Sequence, residues 1–561
     1  MKTTRKIVVI GGVAGGASAA ARARRFDEHA EIVMLEKGPY ISFANCGLPY
    51  YVGREIGDRS ALLLQTPDSF RERFHVDVRV KHEAVAIDRE RKAVRVRNVE
   101  TGEEYEETYT SLILAPGATP IRPGLPGIDL PNIYTVRTVP DSDVIRAFVD
   151  EHPASRAVVI GAGFIGLEMV ENLHRLGLQV TLVEKADQVL PPLDSEMAAI
   201  VESTLRQMGV EVVTSDGIAA FLGEERATGV QLESGRVLEG DLFILGLGVR
   251  PDTRLARAAG LAIGPSGAIR TDSRMRTSDP AIYAAGDAVE MTHLVTGEPT
   301  WIPLAGPANK QGRVAGANAA GDDLTFPGAL GTAIVRVGGL VAASTGLSEK
   351  AAHKRDMDVL VSYTVSGDHA DYYPGAQEML IKLVVEQGTG RLLGAQVIGG
   401  NGVDKRTDVF ATAIAGRMTV FDLTNLDLAY APPFGSAKDP AIVAGMVAQN
   451  AGREQLKLIT PKELLRRLES GAPAQVLDVR PSYEHEMGAV PGAINIPVDE
   501  VRHRLKELNP AMETVVYDGN GSKAYLAARV LMQHGFASVR MLTGGYTLWP
   551  IFQALAARKP L

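Results

Sequence analysis

Ala157-Val158-Val159-Ile160-Gly161-Ala162-Gly163-Phe164-Ile165-Gly166 is the stretch that decides the fold. Four apolar residues run into Gly-x-Gly-x-x-Gly, and a helical pattern follows to about Leu176. A second apolar run, Gln179 to Val183, ends at Glu184. Strand, glycine-rich turn, helix and strand in this order form the unit in which a pyrophosphate rests on a helix N-terminus and an acid accepts the ribose hydroxyls. Gly161, Gly163, Phe164, Ile165 and Gly166 are therefore expected to contact a dinucleotide, with Glu184 at its ribose. An acid there repels a 2′-phosphate and favours NADH, while adjacent Lys185 keeps NADPH open as a donor.

The pattern also occurs upstream. Lys6 to Ile10 reads as a strand, Gly11-Gly12-Val13-Ala14-Gly15-Gly16 as the turn, and an Ala-rich helix runs to about Phe26. A strand from Glu31 to Leu35 ends at Glu36-Lys37. Glu36 lies 25 residues after Gly11, near the expected spacing of about 20. Val13 replaces the middle glycine, so the setting between strand and helix carries the assignment. Gly11, Val13, Ala14, Gly15, Glu36 and Lys37 are the expected contacts of this second dinucleotide. Leu112–Ala118 and Ile282–Asp287 read as buried strands closing on tight turns, which add Ala115, Gly117, Gly286 and Asp287. Asp287 is placed to meet a flavin's ribityl-phosphate region.

At 561 residues the chain exceeds a single core, and roughly three or four domains are expected. Its net charge of -8 argues against a generic nucleic-acid binder. No apolar run reaches the roughly 18 residues of a membrane span, and the apolar segment Ile7 to Ile10, followed at once by a Gly-rich turn, is too short for a signal peptide. A cytoplasmic location is the default, with neither nucleic acid nor membrane as partner, and no metal site is expected.

The chain holds one cysteine, Cys46, which excludes an internal disulfide or a CxxC pair. Thiol chemistry must then take its second sulfur from another molecule, as a mixed disulfide or persulfide on Cys46. The turn-rich segment Asn45-Cys46-Gly47-Leu48-Pro49 argues for an accessible bend rather than a packed thiol. A helix N-terminus there is expected to lower the thiol pKa.

Ser42-Phe43-Ala44-Asn45-Cys46-Gly47-Leu48-Pro49-Tyr50-Tyr51, set behind the first dinucleotide motif, resembles the pyridine nucleotide-disulfide oxidoreductase superfamily. It is similar in particular to coenzyme A-disulfide reductases and their NADH-dependent persulfide reductase relatives. The resemblance covers about residues 1 to 450. It implies an α/β fold with two Rossmann-like, glutathione reductase-like domains: FAD on 1–120 and 276–325, NAD(P)H on 121–275. An α+β dimerisation domain over 326–450, and hence a homodimer, is also implied. FAD, NADH and coenzyme A are the implied small molecules. Gly248, Pro303 and Ala305 join the implied cofactor contacts, and Glu168 is implied to lie near flavin and nicotinamide. Arg22, Ser42, Asn45, Gln65 and Arg71 are the implied coenzyme A contacts. Tyr372 and Tyr430 match tyrosines that the family brings to the cysteine from the partner subunit, with Tyr373 the other member of its pair. A phenol there can give a leaving sulfur its proton.

A further α/β pattern begins near residue 455. Val476–Arg480, Gly488–Pro497, Val515–Tyr517 and Thr543-Gly544-Gly545-Tyr546 follow the order of a rhodanese domain over about 455–561. An active rhodanese places a cysteine in the loop after the strand, whereas here Tyr517 is followed by Asp518-Gly519-Asn520-Gly521-Ser522-Lys523. An aspartate cannot carry a sulfane sulfur, so this domain is expected to lack sulfurtransferase activity. The function expected of the whole is NAD(P)H-dependent reduction of coenzyme A persulfide, polysulfide or coenzyme A disulfide through Cys46. Alternatives are an NADH oxidase or peroxidase cycling Cys46 through a sulfenic acid, and a redox-sensing or sulfur-carrier-binding flavoprotein.

Overall fold

The computed structural model describes residues 5–152, 155–453, 455–472 and 474–558. The chain divides into two compact units, 1–187 with 210–331 and 188–209 with 332–561.

The first unit holds two five-stranded parallel sheets. One orders its strands Ile282–Ala284, Ser111–Leu114, Lys6–Ile10, Glu31–Glu36 and Asp77–Val80. The other orders Glu211–Val213, Gln179–Val183, Arg156–Ile160, Leu242–Leu245 and Ile133–Tyr134. The central strands are buried on both faces, as continuous Val/Ile/Leu runs require. In each sheet the central strand feeds a glycine-rich turn and then a helix, Ala14–Phe26 or Phe164–Arg175.

Steric necessity decides which glycines of the two turns are obligatory. A Cβ on Gly11 would stand 2.1 Å from the Ala115 carbonyl oxygen, and one on Gly161 would stand 2.3 Å from that of Gly246. Both residues have positive φ, +97° and +105°. No such collision meets the middle position: a Cβ on Gly163 would touch nothing within 4 Å. Val13 at the equivalent place therefore leaves the first turn intact. The first helix lies close along helix Ala305–Ala319, since a Cβ on Gly316 would collide with the Ala19 carbonyl oxygen at 2.1 Å.

The second unit is built on a five-stranded antiparallel sheet ordered Ala333–Val337, Leu340–Gly346, Leu392–Gly399, Glu378–Glu386 and Val359–Gly367. Helices Val403–Ala415 and Pro440–Gly452 cover it. A C-terminal parallel sheet follows, ordered Lys457–Ile459, Val539–Leu542, Thr514–Tyr517, Gln475–Asp478 and Ile494–Asn495. Thr543, just past its second strand, caps the edge of the antiparallel sheet. Tyr363 N–H donates to Thr543 Oγ1 at 2.8 Å, and the Thr543 hydroxyl donates to the Tyr363 carbonyl at 3.1 Å. Both main-chain groups of Tyr363 on that edge strand are thereby satisfied.

Residues 188–209, which interrupt the half built on the second parallel sheet in sequence, belong to this second unit. Their anchor is electrostatic. Lys382 is fully buried, with Nζ 2.9, 2.5 and 2.6 Å from carboxylates of Asp194, Glu196 and Glu349. Arg558 also pairs with Glu202 at 2.9 Å. Among the described residues no helix is long and apolar enough to cross a membrane.

Candidate active site

Glu36 and Glu184 do equivalent work in the two halves. Glu36 accepts from Gly12 N–H at 2.8 Å and Gly38 N–H at 2.7 Å. Glu184 accepts from Ala162 N–H at 2.7 Å and Ala186 N–H at 2.8 Å. Each acid thus clamps its glycine-rich turn with one hydrogen bond per oxygen, and each oxygen keeps a lone pair for a ribose hydroxyl. Lys185, the residue after Glu184, is paired with Glu233 at 2.7 Å.

A cleft of about 620 Å³ runs along the first sheet's C-terminal edge. Gly11, Val13, Ala14, Gly15, Glu36, Lys37, Ala115, Gly117, Gly286 and Asp287 all line it. Its volume falls in the ~300–1,000 Å³ range of cofactor sites. Neither glycine-rich helix start has a side-chain cap or an acid in its first turn among the described residues. Their N–H donors and positive dipole ends are thus left to an anionic ligand. Both helix starts fit a pyrophosphate, and the cleft fits FAD.

Gly161, Gly163, Phe164, Ile165 and Gly166 open the second helix, away from this cleft. Gly248 sits at positive φ on the link between the halves and accepts from Ile121 N–H at 3.0 Å. Of the helix start near residue 305, Ala308 lines the cleft, whereas Pro303 and Ala305 do not. Sequence reasoning missed Arg137, which also lines the cleft, with Nη1 4.0 Å from Asp287. Burial pushes the Asp287 carboxyl up, and Arg137 opposes that. No motif marks Arg137; only the fold brings it there.

A second cleft, of about 350 Å³, collects Arg22, Ser42 and Gln65. Ser18, Arg25, Asn309 and Arg313 join them, and the i, i+4 spacing of the last two on one helix was a usable signal. Arg22 is 3.3 Å from Asp322, while its buried Nε has no hydrogen-bond partner. Arg71 is outside this lining, tied to Asp68 at 2.7 Å and to the Val78 carbonyl at 2.8 Å. Asn45 lines the first cleft instead, with Oδ1 3.8 Å from the Cys46 sulfur.

The segment from Ser42 to Cys46 therefore runs between the clefts: Phe43 and Asn45 line the first, Ser42 the second. Cys46 is exposed on the short turn Asn45–Gly47. The expected lowering of its pKa is reversed. Desolvation in the recess raises it first, the Glu168 and Asp287 carboxylates raise it further, and Arg137 alone pulls it down. The helix that follows, Leu48–Val52, is only five residues long.

In the second unit Tyr372 and Tyr430 meet, their hydroxyls 3.1 Å apart and both exposed. Tyr373 instead sets its ring against His369, centroids 5.7 Å apart. In the C-terminal domain Asp518 is 2% exposed. Its carboxylate accepts from Gly521 N–H and from Lys523 N–H at 2.8 Å. The loop's own anion cradle is filled by its own side chain.

Two glycine-rich dinucleotide-type turns and one exposed cysteine fit an oxidoreductase of the two-dinucleotide class, and comparison with known proteins agrees. Residues 5–312 match the pyridine nucleotide-disulphide oxidoreductase family, 332–442 its dimerisation domain and 460–550 the rhodanese-like domain. The chain belongs to the pyridine nucleotide-disulphide oxidoreductase family and carries a C-terminal rhodanese-like domain without a cysteine. It is similar to the crystal structure of reduced CoADR-RHD from Bacillus anthracis, at 46% identity and a TM-score of 0.96, covering 98% of this chain and 99% of that one. A NAD-dependent persulfide reductase from A. fulgidus matches at 40% identity and a TM-score of 0.90, over 97% of this chain and 100% of that one. Coenzyme A disulfide reductase from Staphylococcus haemolyticus is 35% identical over 80% of this chain and 100% of its own length.

Proposed function

We propose that this protein is an FAD-dependent NAD(P)H:sulfur oxidoreductase that reduces coenzyme A persulfide, polysulfide or coenzyme A disulfide through Cys46. The observation that carries the reading is the single exposed cysteine on a segment whose residues line both clefts. The first cleft would hold the flavin through Gly11–Gly15, Glu36 and Asp287. Bound there, FAD supplies the exchange of a nicotinamide hydride for an electron pair delivered to sulfur. Arg22, Arg25 and Arg313 give the second cleft the cations that coenzyme A phosphates need.

Cys46 as thiolate attacks a substrate S–S bond, forming a mixed disulfide or persulfide and expelling a thiolate or hydrosulfide. Two electrons from NAD(P)H then cleave the new S–S bond and return Cys46. Tyr372 and Tyr430, presented as a pair, are the donors proposed to protonate the expelled sulfur across a homodimer. Anaerobic NADH oxidation, measured in parallel with coenzyme A disulfide, coenzyme A persulfide and polysulfide, selects the substrate. Fast turnover on one of them is expected. Turnover with oxygen or peroxide alone, with no gain from sulfur compounds, would point to the sulfenic-acid cycle instead.

Two further expectations belong to this reading. Glu184→Ala should cut the kcat/KM preference for NADH over NADPH about tenfold, since one charge-assisted hydrogen bond of ~1.5 kcal/mol is lost. An unchanged preference would remove Glu184 from the ribose site. The rhodanese-like domain should give the full chain no thiosulfate:cyanide sulfur transfer, because Asp518 both replaces the nucleophile and fills the cradle. Cyanide-dependent thiocyanate release that survives Cys46→Ser would contradict this.

A further inference from the structure

Tyr372 and Tyr430 stand on two loops without regular structure. The first, residues 368–377, joins strands Val359–Gly367 and Glu378–Glu386. The second, residues 424–439, leads into helix Pro440–Gly452. Both rings are exposed, so side-chain packing does not fix where the hydroxyls stand. Their register must come from the bases of the loops, and there a buried polar junction joins the two.

Its centre is Arg406, 1% exposed on helix Val403–Ala415. Arg406 Nη2 donates at 2.8 Å to the carbonyl of Asp368, where the first loop begins. The same nitrogen donates to Asp439 Oδ2 at 2.8 Å, and Nε to Asp439 Oδ1 at 3.2 Å, where the second loop ends. Each contact continues into its loop. Asp368 Oδ1 accepts from Gln377 N–H at 2.8 Å, and Asp368 N–H donates to the Gln377 carbonyl at 2.9 Å, which closes the neck of the first loop. Asp439 caps the helix after the second by accepting from Ala441 N–H at 3.0 Å. A Cβ on Gly435 would stand 3.4 Å from Arg406 Nη2, so the second loop rests directly on the guanidinium. Neighbouring Lys405 places Nζ 3.5 Å from the carbonyls of Ala429 and Phe434, on either side of Tyr430.

We propose that Arg406 is a positioning residue: its guanidinium, tied to both loops, sets the register in which the Tyr372 and Tyr430 hydroxyls meet. The use of that pair in sulfur chemistry rests on the function proposed above.

The residue type suits the task. A planar guanidinium presents its N–H donors in a fixed fork, so one side chain holds a carboxylate and a carbonyl at set angles. A buried ion pair adds little net stability over apolar packing, and fixing register is its best-attested use. Lysine at this position would keep a cation for Asp439 but offers a compact ammonium on a flexible stem, and the two loops would lose their shared anchor. A reacting group displaced by about 1 Å can cost about 100-fold in rate.

The test uses the full-length holoenzyme, with flavin content and thermal midpoint checking the fold of each variant. Photo-oxidation with a ruthenium sensitiser and persulfate couples adjacent phenols, and peptide mass spectrometry identifies a Tyr372–Tyr430 link. Wild type should form it. Arg406→Lys should cut its yield at least about fivefold. Lys382→Met, which removes another buried cation of the same unit, should leave it in place. In stopped flow, Arg406→Lys should leave flavin reduction by NADH unchanged and slow reoxidation by coenzyme A disulfide or persulfide roughly tenfold. Added to Tyr430→Phe, it should slow that step less than about twofold further, because the group it positions is already gone. A link retained in Arg406→Lys, or lost equally in Lys382→Met, overturns the inference, and so does an additive rate loss in the double variant. No reoxidation by either sulfur compound in wild type, or a full rate in Tyr430→Phe, would instead defeat the proposed use of the tyrosine pair. The cross-link, which reads geometry and not turnover, would then decide on Arg406 alone.

Discussion

Cys46→Ser is expected to lower sulfur-dependent NADH oxidation by at least roughly three orders of magnitude, because a hydroxyl cannot form the sulfur–sulfur bond on which the cycle turns. The chain has no second thiol to substitute for it. Serine closely matches the size of cysteine, and Cys46 is exposed on its turn, so the fold and the first cleft should be unaffected. The diagnostic result is a protein that still binds its flavin and still accepts a hydride from NADH in a single turnover, but that fails to pass electrons to coenzyme A disulfide or persulfide. Stopped-flow absorbance separates the two half-reactions. Equal loss in both would mean that the substitution damaged the cofactor site and that the test had not isolated sulfur chemistry. Retained turnover on sulfur substrates would sink the assignment of Cys46.

Lys382→Met is expected to cost about 3–5 kcal/mol of stability, as removal of one partner from a buried ion cluster typically does. Methionine fills the side-chain volume but leaves Asp194, Glu196 and Glu349 converging on an apolar group. The acids belong to two segments distant in sequence, Asp194 and Glu196 in one and Glu349 in the other, so the loss falls on the docking of residues 188–209 within the second unit. A fall in the thermal midpoint on the order of 10 °C should follow. Restoring part of it by adding Glu196→Gln would identify unpaired negative charge as the cause. A change under about 1 kcal/mol would mean that the acids find water or protons at little cost.

The pH dependence of this cluster has a definite sign. Burial lowers the Lys382 pKa, but Tyr363 and the three acids outweigh it and hold the ammonium well above its ordinary value. Burial likewise pushes the Asp194 carboxyl up, and Lys382 with the Lys350 and Glu349 amides brings it below the usual carboxylate range. A raised lysine stabilises fully below its unfolded pKa of about 10.4, and this is lost as pH rises through the folded value. A depressed aspartate stabilises above its unfolded pKa of about 3.9, and this is lost as pH falls through the folded value. The cluster therefore contributes its full stabilisation between roughly pH 4 and 10. In Lys382→Met the loss of stability near pH 10 should disappear, and on the acid side the dependence should reverse, because the uncompensated buried carboxylates gain stability as they take up protons.

Much of the architecture of the two parallel-sheet halves was legible from local pattern. The strand Lys6–Ile10, the helix ending at Phe26 and the strand Gln179–Val183 stand at the residues where the apolar runs and glycine turns put them. These are short-range features, set by hydrophobic period and by the few backbone angles a glycine turn permits. Cys46 was legible too, because a count of one cysteine admits a single candidate. Asp518 was readable as an incompetent nucleophile, although its seating in the loop's amide cradle was not.

What the sequence by itself determined, then, is the succession of two dinucleotide units, a sheet domain and a rhodanese-like domain, with Cys46 as its one thiol. Only the tertiary structure decided the charge around that thiol. Arg137 and Glu168 come to it from loops and helices more than 90 residues away, Tyr372 finds Tyr430 across 58 residues, and Lys382 gathers acids from 33 to 188 residues distant. Local patterning encodes each element's shape, but electrostatic partnership depends on distances through space, which exist only once the elements have packed.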